Sequence, residues 1–338
     1  MRRLSERLNR YWFAESPAAA LAVVRILVGG YALWYLTDRY ASLVRIAHTN
    51  ASLFEPVGIA TFLDAPVQGL VFVALLNAAI FANIAFLVGW AFRFTGPLFG
   101  GLLLCILCYK NSWTMIYHTN NLLVLHVLIL GFTRAADSLS VDRMLRLFES
   151  KWPSGSTKSG TIPRLPGNCK YGWPIRLICT VTAASYFLAG VAKIVGPSGW
   201  SWVTGTALRS QVAADALRKE FLGDGASPLF LSIYDHASLF ALMGIGALLL
   251  ELGAPLFFLS KHGTVLWATC MFLFHWGVFL VMGITFRYHL SGIAFAAFID
   301  WDAVCSWCRS RRLVRGGPEA AAAGLAATRQ YPTSSLPN

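Results

Sequence analysis

Long apolar stretches recur along this chain, separated by short polar or glycine- and proline-containing breaks. They lie near residues 18–36, 67–90, 97–116, 120–134, 173–195, 237–259, 264–286 and 289–304. Most approach the roughly 20 residues a helix needs to cross a bilayer, while the fourth and eighth are short. Their Leu, Ala, Ile and Phe residues lack the alternation of barrel strands, and the bilayer core supplies no partner for free backbone N–H and C=O groups. The pattern therefore predicts an all-α fold, a polytopic transmembrane helical bundle of about eight spans over residues 18–304. An N-terminal segment, 1–17, precedes it, with Arg2, Arg3, Arg7 and Arg10 ahead of Trp12 and Phe13. Residues 135–172, with Ser154-Gly155-Ser156-Thr157-Lys158-Ser159-Gly160, read as a flexible polar linker between two sets of four helices. The tail, 305–338, is Ala/Gly/Pro/Ser-rich from residue 316 on and is expected to be partly disordered.

Composition supports this pattern. The chain has 338 residues, 56% hydrophobic and 13% charged, where a soluble domain carries roughly a quarter charged. Its formal net charge of +12 would point to nucleic acid in a soluble protein. Here there is no interleaving of basic and aromatic residues and no zinc-type spacing, so no nucleic-acid partner is expected; the partner is the lipid bilayer. Charge distribution instead predicts orientation. With the N-terminus inside, the inner segments collect about 18 Lys and Arg against about 7 in the outer loops. Both termini are therefore expected on the cytoplasmic side, in what reads as a bacterial plasma (inner) membrane. The first apolar stretch follows Glu15 and Pro17 and contains Arg25, which is unlike a cleavable signal peptide.

Ionisable side chains at mid-bilayer each cost on the order of 2.5–3.5 kcal/mol, so each needs a reason to be there. The candidates are Arg25, His126, Lys193, Glu251 and His275, with His118, Asn120 and Asn121 at the outer start of the fourth stretch. Arg25 and Glu251 both fall near mid-depth and are expected to form a structural pair. Lys193 ends an apolar run; it is either a snorkelling lysine or a desolvated amine able to act as a base. His275 is either hydrogen-bonded core or part of a site, and His126 reads as packing. Two C-x-x-C pairs, Cys105/Cys108 and Cys305/Cys308, lack the partner pair that redox or metal chemistry needs. No metal site is expected.

Several blocks resemble a known family. Ser185-Tyr-Phe-Leu-Ala-Gly-Val-Ala-Lys193 followed by Trp202-Val-Thr-Gly205-Thr-Ala-Leu208 is similar to the "Y-F-x-A-G-x-x-K … W-x-x-G-x-A/S" block of the vitamin K-dependent γ-carboxylase superfamily. Its membrane part is the HTTM (horizontally transferred transmembrane) domain. Tyr117-His118-Thr119-Asn120-Asn121, then Ser140-Val141-Asp142, and Phe274-His275 followed by Met282-Gly283-Ile284-Thr285-Phe286 agree in order and spacing. The resemblance covers residues 18–304. It implies an outward-opening active site that oxygenates a reduced quinone of the vitamin K or menaquinol type, giving a strong base. Lys193 matches the family's lysine base, and His275 its later histidine; His118, Asn120 or Asn121 would hydrogen-bond the quinone oxygen. Tyr186 and Trp202 belong to the same blocks and would line the quinone site. The family's doubled lysine is Ala192-Lys193 here, and the family's Asn-His pair falls at about His118-Thr119.

Two functions follow as expectations. One is a membrane enzyme, a γ-carboxylase-like lyase or a quinol oxygenase/epoxidase, with Lys193, His118 and His275 as the reacting groups. The other is a non-catalytic partner or export and maturation factor for a secreted peptide or protein, with loop 196–236 as its contact surface. A transporter is disfavoured, because no internal repeat is visible.

Overall fold

The computed structural model describes residues 6, 9–113, 120–151, 165, 167–258, 260–301 and 303–304. His118 and Cys305/Cys308 lie outside the described residues. The chain divides into two compact units, 1–299 and 300–338. In chain order the helices are α1 (Ala18–Asp38), α2 (Tyr40–Ile46), α3 (Gly69–Val88), α4 (Phe92–Asn111), α5 (Asn121–Gly131), α6 (Val141–Lys151), α7 (Cys169–Val195), α8 (Thr206–Leu222), α9 (Pro228–Ile233), α10 (Ala237–Leu252), α11 (Ala254–Phe257), α12 (Lys261–Met282) and α13 (Arg287–Leu290). Among the described residues there is no strand, only an isolated bridge between Ser16 and Asn168.

Among the described residues five helices are long and apolar enough to cross a membrane: α1, α3, α4, α7 and α12. Helices α5 and α10 are apolar but shorter; at ~1.5 Å per residue, α5 reaches only about half of a ~30 Å hydrocarbon core. Leu266, Leu273 and Leu280 stand seven residues apart on α12, each more than half exposed. In water such a stripe invites aggregation, whereas hydrocarbon solvates it at no penalty.

The expected eighth span, 289–304, is not a continuous helix. After α13, Gly292 takes a left-handed φ of +75° and the chain continues as a 3-10 run, Ile293–Phe298. Residues Ala294 to Phe298 are all buried, packed against α1, α7 and α12. Their hydrophobicity reflects burial in protein, which is where non-α backbone is tolerated at membrane depth. In the second unit, Asp300 opens a separate helical turn, accepting from the Val304 N–H at its carbonyl and from the Ala303 N–H at its side chain. The expected helix 237–259 is also divided. Pro255 in the first turn of α11 has no N–H to give to α10, so α10 stops at Leu252.

The expected flexible linker, 135–172, contains structure at its start. Helix α6 is amphipathic and its first turn is anchored. The Asp142 carboxylate accepts from the N–H groups of Ala91 and Phe92, 2.8 Å each, while the Asp142 N–H donates to Gly89. This carboxylate caps the N-terminus of α4, which begins at an Ala91 in the left-handed region and has no cap of its own. Gly89 ends α3 at φ +68°, and a Cβ there would run into the Arg25 guanidinium. Arg25 is fully buried, donates from Nη2 to the Leu139 carbonyl at 2.5 Å and lies over the Phe92 ring at 5.6 Å.

At the opposite end of the bundle the connecting segments are also ordered. Residues 39–68 form α2 and two 3-10 turns, tied to the end of α4 by Glu55 N–H to Ser112 O and Val57 N–H to Ser112 Oγ. Residues 196–236 fold into a 3-10 turn, Gly199–Trp202, then α8 and α9. Lys219 of α8 bridges Asp215 and the Met282 carbonyl, pinning this segment to the end of α12.

Candidate functional site

Helix α7 is central, packing against α1, α5, α10, α11 and the 293–298 run. Thr182, Tyr186, Gly190 and Lys193 are spaced four, four and three residues apart, so they share one face of it. Each of the three polar side chains on this face meets a different partner.

At the end of the row, the Lys193 ammonium donates to both Glu251 oxygens at 2.5 Å. The Glu251 side chain is 4% exposed and that of Lys193 21%. The Trp202 ring lies 5.2 Å from Nζ and closes another side of the ammonium. Gly190 makes this contact possible. A Cβ at residue 190 would stand 2.9 Å from the Glu251 Cβ and 3.0 Å from the Leu252 side chain, so any side chain there would push α10 away.

Two turns earlier, the Tyr186 hydroxyl faces His275 Nε2 at 3.4 Å, and His275 Nδ1 lies 2.8 Å from the Met271 carbonyl. A carbonyl only accepts, so Nδ1 carries the ring proton. Nε2 of the neutral ring is then the acceptor for Tyr186 O–H. His275 stacks on His289, with centroids 4.4 Å apart and planes within 8°. Phe286 and Phe295 surround both rings.

A turn earlier again, His126 is bonded on both nitrogens. Nε2 meets Thr182 Oγ1 at 3.0 Å and Nδ1 meets the Tyr288 hydroxyl at 2.7 Å. The Thr182 hydroxyl proton goes to the Ile178 carbonyl, so His126 Nε2 donates to Thr182 and Tyr288 donates to Nδ1. His126 is therefore a fully satisfied hydrogen-bonding group, where an apolar-stretch reading had it as packing.

The expected site residues thus separate into groups. Lys193, Tyr186, His275, Trp202 and Glu251 fall in one continuous region along α7. Arg25 does not pair with Glu251. That carboxylate is taken by Lys193, and Arg25 sits at the α3–α4 corner, where the carboxylate acting on it is Asp142. Depth along two helices places residues at a level but not on a facing side, which is why the two looked matched. Asn120 donates to the Tyr35 hydroxyl at 3.0 Å, as does Lys110 at 3.2 Å, near the C-terminal end of α1. Asn121 is exposed at the start of α5.

The sequence reading missed Thr182, Tyr288 and His289. The one available signal was the polar triplet Arg287-Tyr288-His289, of which Arg287 and Tyr288 fell in the turn before the expected eighth stretch and His289 at its first position. Among the described residues no three or more His, Cys, Asp or Glu side chains are grouped to hold a metal ion.

No family model, curated protein or solved structure matches the chain. Functional reading therefore rests on the α7 row itself. The row holds a buried ion pair, two hydrogen-bonded imidazoles and two phenols.

Proposed function

We propose that this integral membrane protein is an enzyme acting on a hydrophobic quinol, with the Lys193–Glu251 pair as its proton acceptor. The observation that carries the reading is the pair itself. An ion pair buried between two helices gives little net stability over apolar packing of the same volume, and intramembrane ionisable residues are functional candidates by default. The Lys193 ammonium donates to both carboxylate oxygens at 2.5 Å, so a substrate proton would go to the Glu251 carboxylate, with the ammonium held against it. The Tyr186 oxygen, its proton held by His275 Nε2, would accept from a quinol hydroxyl.

The resemblance to the HTTM and γ-carboxylase-like superfamily supports the same substrate class, since its lysine and later histidine correspond to Lys193 and His275. Oxygenation would convert quinol and O₂ to the quinone epoxide and water, so the reaction needs no further reductant. In this reading the basic N-terminal segment and tail lie in the cytoplasm, and the Lys193 end of α7 opens outward.

The test is to incubate purified protein with reduced menaquinone or vitamin K under O₂ and follow epoxide formation. Wild type should form epoxide; Lys193→Ala and Glu251→Gln should lose at least tenfold in rate while keeping the folded oligomeric profile. No product from folded wild-type protein sinks the enzyme reading.

A second reading has its own observation. On α8, Leu217, Phe221 and Leu222 are all exposed, Phe221 to 89%. Such a patch on the 196–236 segment suits a contact surface for a secreted peptide or protein. If the protein is a partner or maturation factor, Phe221→Ser should abolish complex formation while Lys193→Ala leaves it intact.

A further inference from the structure

A groove of about 380 Å³ opens on the side of the bundle between α1 and the α13 region, lined by Gly30, Tyr31, Trp34, Arg287, Ser291 and Ile293. Its walls are mostly apolar, and it lies outside the α7 row. The space beside Gly30 is open, since a Cβ at residue 30 would have no other atom within 4 Å.

The mouth of the groove is charged. Arg287 Nη1 donates to Asp38 at 2.8 Å, and Arg39 Nε reaches the same Asp38 oxygen at 3.5 Å. Two guanidinium groups thus share one carboxylate, leaving one positive charge in excess. Arg287 also lies over the Trp34 ring at 5.6 Å, and its side chain is 41% exposed. Tryptophan and arginine together are residues of the headgroup level. From Gly30 to Asp38 is eight residues, or ~12 Å along the helix axis, which fits within one ~15 Å leaflet.

We propose that this groove binds one anionic phospholipid, its acyl chain laid along Gly30 and Ile293 and its headgroup phosphate on Arg287. Apolar walls would accept any lipid chain; the excess charge at the mouth selects a net negative head. Asp38 and Trp34 hold the Arg287 fork in place, so binding the phosphate needs little further ordering of that side chain.

The test is lipid binding to the full-length protein in detergent by native mass spectrometry, with phosphatidylglycerol against phosphatidylcholine of the same acyl chains. Wild type should bind phosphatidylglycerol about tenfold more tightly, as one charge-assisted contact implies. Arg287→Gln should bring the two lipids within about twofold of each other. Gly30→Leu places a side chain in the groove, its Cβ meeting no other atom within 4 Å, and should weaken both lipids about tenfold or more. Equal binding of the two lipids by wild type overturns the proposal. So does Gly30→Leu protein that retains wild-type affinity for phosphatidylglycerol, and this second arm decides the matter if Arg287→Gln does not fold.

Discussion

Lys193 and Glu251 face one another across the α7–α10 contact, the ammonium 2.5 Å from each carboxylate oxygen and the carboxylate almost fully buried. The contact joins two helices and holds both charges of an apolar region in one place. Removing either partner leaves the other charge uncompensated, while removing both leaves a cavity that apolar atoms can fill. Lys193→Ala alone is expected to destabilise by about 3 kcal/mol, the low end for a broken buried pair because the lysine is partly exposed. Lys193→Met with Glu251→Leu should recover most of that. Thermal unfolding of the purified single and double variants measures it, and additive losses would count against a coupled pair.

Gly190 controls the same contact through the backbone. Gly190→Ala puts a methyl group against the Glu251 Cβ and the Leu252 side chain. The helices must separate or the neighbours must shift, at about 1–3 kcal/mol. A lowered midpoint should appear together with reduced epoxide formation; an alanine variant unchanged in both would show that the spacing is not critical.

Arg25 belongs to a different structure. Its guanidinium donates to Leu139 next to the Asp142 cap, far in connectivity from Glu251. In double-mutant cycles by thermal unfolding, Arg25→Leu with Glu251→Leu should be additive within about 0.5 kcal/mol. Arg25→Leu with Asp142→Ala should show coupling beyond that.

Asp142 caps α4 from a helix fifty residues away in sequence. Asp142→Ala leaves the Ala91 and Phe92 N–H groups without their acceptor, and a loss of about 1–2 kcal/mol is expected. Asp142→Asn keeps one acceptor oxygen and should lose less. Equal losses from the two would mean that the charge, rather than the two bonds, is what matters.

Orientation can be read directly. In a chain stripped of native cysteines, Asp224→Cys should react with a membrane-impermeant maleimide in intact cells. Glu149→Cys on α6 should react only after permeabilisation. The opposite pattern reverses the proposed topology and places the Lys193 end of α7 on the cytoplasmic side.

Hydropathy by itself determined that the chain is helical and suited to a bilayer, because twenty-residue apolar runs have few other stable forms. It located α1, α3, α4, α7 and α12 to within several residues. It misread 289–304, since a buried 3-10 run and a lipid-exposed helix are equally hydrophobic and only packing distinguishes them. The residues matched in the resemblance included Lys193, Tyr186, Trp202 and His275, which lie along α7, and Asn120 and Asn121, which do not: Asn120 goes to Tyr35 and Asn121 is exposed. Partner choice was out of reach of the sequence. Arg25 matched residue 251 in depth while Lys193 stood at the end of its apolar run, and which one reaches the carboxylate depends on how α1, α7 and α10 rotate and pack. Only the tertiary structure decided that Glu251 goes to Lys193, with Gly190 allowing the approach, because a charge in an apolar interior is satisfied by the side chain that faces it rather than by one at the same depth.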